Sequence, residues 1–267
     1  MNRIVKPFNK ASFVIRLTLM TLAALTLFGF FTFDYKDLNL LEAVKGTGDT
    51  LGTMFLEARA KHFTFGEALK QVVITLGLAF LTTLFGGVIA LILGLLAARN
   101  LSSPAVSLLI RSVVAFIRAV PTVLWVLIFA VAAGLGSVAA VIGMTFHSVS
   151  YLVKAYSESF EEMEGGVIEA MKASGANWWQ IVFQAVLPSS ISYLISWTFM
   201  RFEINFAVAV AMGAAAGAGG IGYDMFMASN YYFDVREIGL ITYMILAFAI
   251  ILEIVAGMIK KRLKMNG

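Results

Sequence analysis

The chain has 267 residues, 60% hydrophobic and 13% charged, where a soluble globular domain averages about 45–50% and about 25%. That balance excludes a water-soluble fold over most of the length and makes lipid the principal solvent. The absence of cysteine excludes disulfides, thiol catalysis and thiolate metal sites, and the net charge of +4 matters less for its size than for its placement.

A spanning helix needs about 20 mostly apolar residues. Six segments meet that requirement, roughly 13–33, 70–97, 112–133, 137–157, 189–212 and 238–259. The first follows Arg3, Lys6 and Lys10 and ends at TFDYK with no small-residue cleavage site, so it is expected to remain as an anchor. Lys260, Lys261, Arg262 and Lys264 close the chain. Beside apolar spans such basic ends read as topology signals rather than a nucleic-acid surface. An even number of crossings then puts both termini on the cytoplasmic side, with Arg99, Arg111 and Lys172 on or near it. The outer loop 34–69 carries Lys36, Lys45, Arg59 and Lys61 of its own, so the topology rests on the ends and on the number of spans. The expected organisation is an anchor helix and external loop (1–69), a transmembrane domain (70–259) and a basic cytoplasmic tail (260–267).

Within the outer loop, Leu51, Met54, Phe55 and Ala58 fall at i, i+3, i+4 and i+7, which predicts a short amphipathic helix. It either lies in the headgroup layer or offers a docking surface to an external partner.

From about Ser157 to Leu187 the chain builds a polar block on the inner side. Phe160, Met163, Val167, Met171 and Ser174 form one stripe of a predicted helix that also carries Glu158, Glu161, Glu162 and Lys172. Gly175 suits the position just past a helix end, where positive φ costs glycine nothing. Asn177 and Gln180 read as an N-cap and capping-box pair, opening a second short helix with Trp178, Ile181, Val182 and Ala185 on its apolar face. Pro188 stops that helix or starts the next span. The block is a helix–turn–helix bracket at the inner membrane surface, in which Trp178 and Trp179 serve as interfacial anchors.

The fifth span contains RFEIN, 201–205. Counting from Ser189 at about 1.5 Å per residue, Arg201 lies about 18 Å in, near the middle of the hydrocarbon core. A charge there faces a partner or water. Residues three or four apart share a face, so Thr198, Arg201 and Asn205 form one polar stripe and Glu203 points the other way. Two readings stay open: the stripe lines a path for an anion, or Arg201 pairs with an acid and holds the bundle together. Glu203 is expected to be buried against another helix, and His147, at similar depth in the fourth span, is the candidate second member of a buried polar pair.

GAGGIG, 217–222, fits the dinucleotide pattern G-x-G-x-x-G. It follows a membrane helix rather than a strand, so that reading is rejected. Gly217, Gly219, Gly220 and Gly222 are expected instead to allow unusual backbone angles and close approach at the outer mouth, as gating glycines. Gly213 and Gly217 make a small-xxx-small pair. No G-x-x-x-x-G-K-[ST] occurs, so the chain lacks the usual phosphate-cradling loop for hydrolysing ATP.

The run Glu169-Ala170-Met171, three residues, Gly175, nine residues, then Ala185 and Leu187-Pro188 resembles the EAA loop of ABC importer permeases. RAVPTVLWVLIFAVAAGLG (118–136), the segment around His147, RFEIN and GAGGIG look like the phosphonate-uptake permeases, a branch that includes phosphite importers. The resemblance implies an all-α integral membrane fold with six transmembrane helices, of the type I ABC importer class with a MetI-like core. It implies that 158–187 forms coupling helices, with Glu169, Ala170, Met171, Gly175, Leu187 and Pro188 seating against an ATPase. It further implies a homodimer with two copies of a cytoplasmic ATPase and an external binding protein in a bacterial cytoplasmic membrane. ATP and Mg would belong to the ATPase, with no cofactor, metal or catalytic residue in this chain. The rivals are an intramembrane enzyme using Arg201, Glu203, His147 and Glu253, and a proton-coupled carrier using Glu203 and His147.

Overall fold

The computed structural model describes residues 9–32 and 39–265, and every regular element in them is helical. Arg3, Lys6, Lys36 and most of TFDYK lie outside the described residues, as do the side chains of Lys260 and Lys264. The chain divides into two compact units, 1–50 and 51–267.

In the first unit, α1 (Lys10–Thr32) is apolar around its whole circumference, with Leu19, Met20, Phe28 and Phe31 exposed. Thr18, Thr21, Thr26 and Thr32 each donate their hydroxyl to the carbonyl four residues back. These four hydroxyls are thereby satisfied within the helix, as lipid requires. The first turns of α2 (Leu40–Leu56) also belong here.

The second unit begins with the end of α2, and here the expectation for the amphipathic stripe is corrected. Leu51 is exposed and Phe55 partly so, but Met54, Phe55 and Ala58 touch the last helix, α11 (Val235–Met265). The Phe55 carbonyl accepts from the Tyr243 hydroxyl at 2.8 Å, their rings meet edge-on at 5.7 Å, and Arg236 pairs with Glu57. A Cβ on Gly239 would overlap the Met54 carbonyl. The stripe's second half is therefore partly covered by its own chain, and Ala58 lies beyond the helix end.

α3 (Phe65–Ala97) opens with a full capping box between Thr64 and Glu67. α4 (Pro104–Ala119) and α5 (Thr122–Ala133) replace the single third span expected at 112–133, meeting at a 90° bend. Pro121 is the cause. Its ring keeps the preceding Val120 extended, at φ −90° and ψ 124°, and it has no N–H to carry the helix on. The Trp125 indole N–H donates 3.0 Å to the Ile117 carbonyl and satisfies an acceptor that the break frees.

α6 (Ser137–Glu161) is the most buried helix and packs along α3. Gly86, Ala90 and Gly94 put a small-residue stripe at four-residue spacing on α3. A Cβ on Gly86 would come within 2.8 Å of the Ser148 Cβ, and one on Gly94 within 3.1 Å of the Tyr156 Cβ. Close backbone approach is what associates helices when the surroundings are as apolar as the side chains.

α7 (Gly165–Ala173), α8 (Trp178–Ile181), a π-helical turn (Val182–Val186) and α9 (Leu187–Ala216) follow. The stripe expected along one helix from Phe160 to Ser174 is corrected: the helix breaks between Glu161 and Gly165, ahead of the weak helix formers Gly165 and Gly166. The phase resets, and Ile168 rather than Val167 becomes the buried contact of α7. Pro188 does not stop the bracket; it stands in the first turn of α9, where the next span starts without a break in the helix. The Leu187 N–H bonds back to Val182, five residues away, and this wider turn lets the helix run on through a proline that cannot donate.

α10 (Ile221–Asn230) is too short to span. α11 (Val235–Met265) completes the chain. Among the described residues five helices are long and apolar enough to cross a membrane, and the bent α4–α5 pair supplies a sixth crossing if it counts as one span.

Candidate functional site

The bracket is held from three sides. Ala176 and Gly175 donate backwards to Met171 and Lys172, each at 3.0 Å, closing α7 around Gly175 at φ +83°. A Cβ there would meet nothing within 4 Å, so glycine is required by its backbone angle and not by space. Asn177 and Gln180 cap each other reciprocally at 2.9 and 2.7 Å. The Trp178 indole donates 2.9 Å to the Leu101 carbonyl in the α3–α4 connection. That connection is itself tied to the end of α6: Asn100 donates to the Phe160 carbonyl at 2.8 Å, and Arg111 pairs with Glu161.

The motif residues divide into anchors and a free face. Met171 and Leu187 pack on the apolar cluster of Phe160, Ile168, Ile181 and Val186, while Glu169, Ala170, Gly175 and Pro188 are exposed. Trp178 and Trp179 differ in the same way. Trp178 packs inward, and Trp179 stacks on Phe183 at 6.0 Å with both rings 61% exposed. This exposed aromatic pair was not singled out from the sequence, although the i, i+4 spacing of 179 and 183 could have indicated it.

The RFEIN stripe faces inward. Arg201 is 2% exposed and Asn205 fully buried. Arg201 donates through Nε to the Ser148 hydroxyl at 3.1 Å, and its guanidinium lies 5.2 Å from the centre of the Tyr151 ring. Asn205 donates to Thr83 at 2.9 Å and to Ser148 at 3.0 Å, joining α9 to both α3 and α6. The Thr198 and Tyr156 hydroxyls are 2.6 Å apart. Among the described residues no acid pairs with Arg201, and its Nη2 has no hydrogen-bond partner. The structural-pair reading therefore loses its carboxylate: hydroxyls and a π face hold the guanidinium instead.

Glu203 and His147 are not joined by any hydrogen bond or ion pair. Glu203 is half-buried on the opposite face of α9, lining with Glu253 an open cleft of about 570 Å³ against α11. His147 is half-buried on α6, its Nδ1 without a partner. The cluster of Arg201, Glu203, His147 and Glu253 that an enzyme or carrier would need is thus divided between two faces of α9.

The glycine run forms the turn from α9 into α10. Gly217, Gly219 and Gly220 have φ of 60°, 81° and 74°. Gly220 passes against Thr75, whose hydroxyl accepts the Ile221 N–H at 3.0 Å. Gly222 and Gly213 work by space: a Cβ on Gly222 would overlap the Val210 carbonyl, and one on Gly213 would come within 2.7 Å of the Gly219 carbonyl oxygen. In α10, next to this turn, burial, followed by the charge of Glu67, raises the Asp224 carboxyl to about 6. Sequence reading passed over Glu237, which is fully buried. It accepts the backbone N–H groups of Lys61 and His62 and lies 2.9 Å from the His62 imidazole, tying residues 61–62 to α11.

Residues 90–265 match the family described as "binding-protein-dependent transport system inner membrane component". The phosphate-import permease protein PhnE of Mycolicibacterium smegmatis is 32% identical over 191 residues, which are 71% of this chain and 35% of that one. This chain therefore spans little more than a third of that relative. The phosphite transport system permease protein PtxC of Stutzerimonas stutzeri is 29% identical over 217 residues, 80% of this chain and 78% of that one. Among solved structures, the MetNI methionine ABC transporter in an inward-facing conformation shares the fold, with a TM-score of 0.65 at 21% identity, covering 75% of this chain and 99% of that one.

Proposed function

Because the chain belongs to the family of binding-protein-dependent transport system inner membrane components, we propose that it is the membrane-spanning subunit of an ATP-driven importer for phosphonate or a related phosphorus oxyanion. The observation that carries this reading is the bracket: residues 165–188 present Glu169 and Ala170 outward on a short helix, which ends in a turn at Gly175 that glycine holds most comfortably. A rigid exposed knob at the end of four long helices is what a separate motor needs to move the spans. The relatives named for phosphate and phosphite support the substrate class.

Two copies of the chain enclose the path, two copies of a cytoplasmic ATPase bind ATP and Mg and grip the brackets, and an external binding protein delivers the anion. Closure of the ATPases draws the brackets together and rocks the spans between outward and inward access. With six crossings, both termini lie in the cytoplasm.

The test is uptake of phosphite and methylphosphonate by cells expressing the chain with a neighbouring ATPase and binding protein, with copurification of the ATPase measured alongside. Wild-type uptake with ATPase recovered, and loss of both in Glu169→Lys, is the expected result. Uptake that persists without an ATPase overturns the reading.

A further inference from the structure

Two adjoining crevices of about 180 and 130 Å³ open between α4, α6 and α9, and Arg118 and Lys154 line both. Arg118 stands in the last turn of α4, beside the bend at Pro121, and is exposed. Among the described residues no hydrogen bond or ion pair engages its guanidinium. Lys154 is on α6, seven residues or about 10 Å before its inner end at Glu161. Its one ion pair among the described residues is a 3.7 Å contact with Glu158, both side chains about half exposed, an arrangement worth little in water. Tyr151 and Trp197 wall the smaller crevice, and the Tyr151 ring is the one that carries the Arg201 guanidinium.

Cations left unneutralised inside a span do not face lipid, where each costs several kcal/mol; they face water or an anion. Two acids lie close by: Glu161 is engaged by Arg111, and Glu158, which lines the smaller crevice, is only in loose contact with Lys154, so one carboxylate stands against two cations there. Arg201, with its unpartnered Nη2, adds positive charge behind the Tyr151 wall. A guanidinium fork and an ammonium across a small crevice are the donor set for a tetrahedral phosphorus oxyanion.

We propose that Arg118 and Lys154 form a water-filled oxyanion station on the inner half of the translocation path, through which the phosphonate-type substrate leaves toward the cytoplasm. This assignment rests on the importer reading above. It moves the contact with substrate from Arg201, sealed beneath Tyr151, to the two cations that the crevice exposes.

The chain has no cysteine, so Lys154→Cys supplies a single thiol. In inside-out vesicles carrying the full chain, anionic and cationic methanethiosulfonate reagents of equal size are compared, with and without millimolar phosphite. Lys154→Cys should react roughly tenfold faster with the anionic reagent, phosphite should slow it, and adding Arg118→Gln should erase the preference. In the intact importer Arg118→Gln should lower phosphite uptake roughly tenfold, and Arg118→Lys should recover part of it, with binding-protein-stimulated ATP hydrolysis retained. Equal rates for the two reagents, or no protection by phosphite, overturn the station and leave Lys154 as a side chain reaching for headgroups. Full uptake in Arg118→Gln overturns it as well. An anionic preference protected equally by sulfate, in vesicles whose wild type imports no phosphite, overturns the importer reading and not the crevice.

Discussion

The Arg201 guanidinium rests on the Tyr151 ring, 5.2 Å from its centre, while Nε reaches Ser148 on the same helix at 3.1 Å. A full positive charge in the middle of the bundle is thus held by a π face and a hydroxyl instead of a carboxylate. Arg201→Gln keeps neither the stacking nor the charge-assisted bond and should cost about 1–3 kcal/mol of stability. Thermal unfolding of detergent-solubilised protein measures this. Neutralising Glu203 or Glu253 in the same variant should restore nothing, because neither acid pairs with Arg201.

Gly175→Val forces a β-branched residue to φ near +83°, at a cost of about 1–2 kcal/mol. Gly175→Asn, which enters that region more readily, should cost less. The chain should still insert. The expected readout is ATPase copurification, reduced most in Gly175→Val, less in Gly175→Asn and least in wild type. Equal recovery from all three would show that the turn does not set the bracket.

Gly219 and Gly222 should fail for different reasons. Gly222→Ala pushes a methyl into the Val210 carbonyl and should separate α9 from α10, lowering both the melting temperature and uptake. Gly219 has open space around it and only its φ of +81° to satisfy, so Gly219→Asn should be mild and Gly219→Val more costly, by about 1 kcal/mol or more. Uptake and thermal unfolding measured on the three variants check the order.

The Asp224 carboxyl, raised to about 6 against an ordinary 3.8, makes stability depend on pH. Its folded-state pKa lies above its unfolded value, so the native state holds the proton more tightly between the two. The penalty is absent below the unfolded pKa, grows as pH rises toward about 6, and is complete above it. Asp224→Asn should therefore raise the melting temperature by about a few degrees at pH 7.5 and leave it almost unchanged at pH 4. An equal shift at both would place the effect outside the titration.

Features encoded within a few residues were legible without coordinates. Apolar run length located the long helices, though not the break that makes the third expected span a bent pair, and the bracket followed from Gly175 and from Asn177 with Gln180, because caps and left-handed turns depend on residues that act on their own backbone. The periodicity of α9 correctly grouped Thr198, Arg201 and Asn205 and set Glu203 apart. It could not say which group faces the interior of the chain. A spanning helix is apolar on nearly every side, so its own pattern carries little information about rotation. That rotation is decided by distant partners: Ser148 and Tyr151 on α6, Thr83 on α3, and α11 across the cleft from Glu203. The right-angle bend at Pro121, the reset of helix phase after Glu161 and the contact of the Gly86–Gly94 stripe with Ser148 and Tyr156 arise in the same way. Proline and glycine mark where a helix can break or two backbones can meet, and only the packing of the whole bundle fixes the angle and the face.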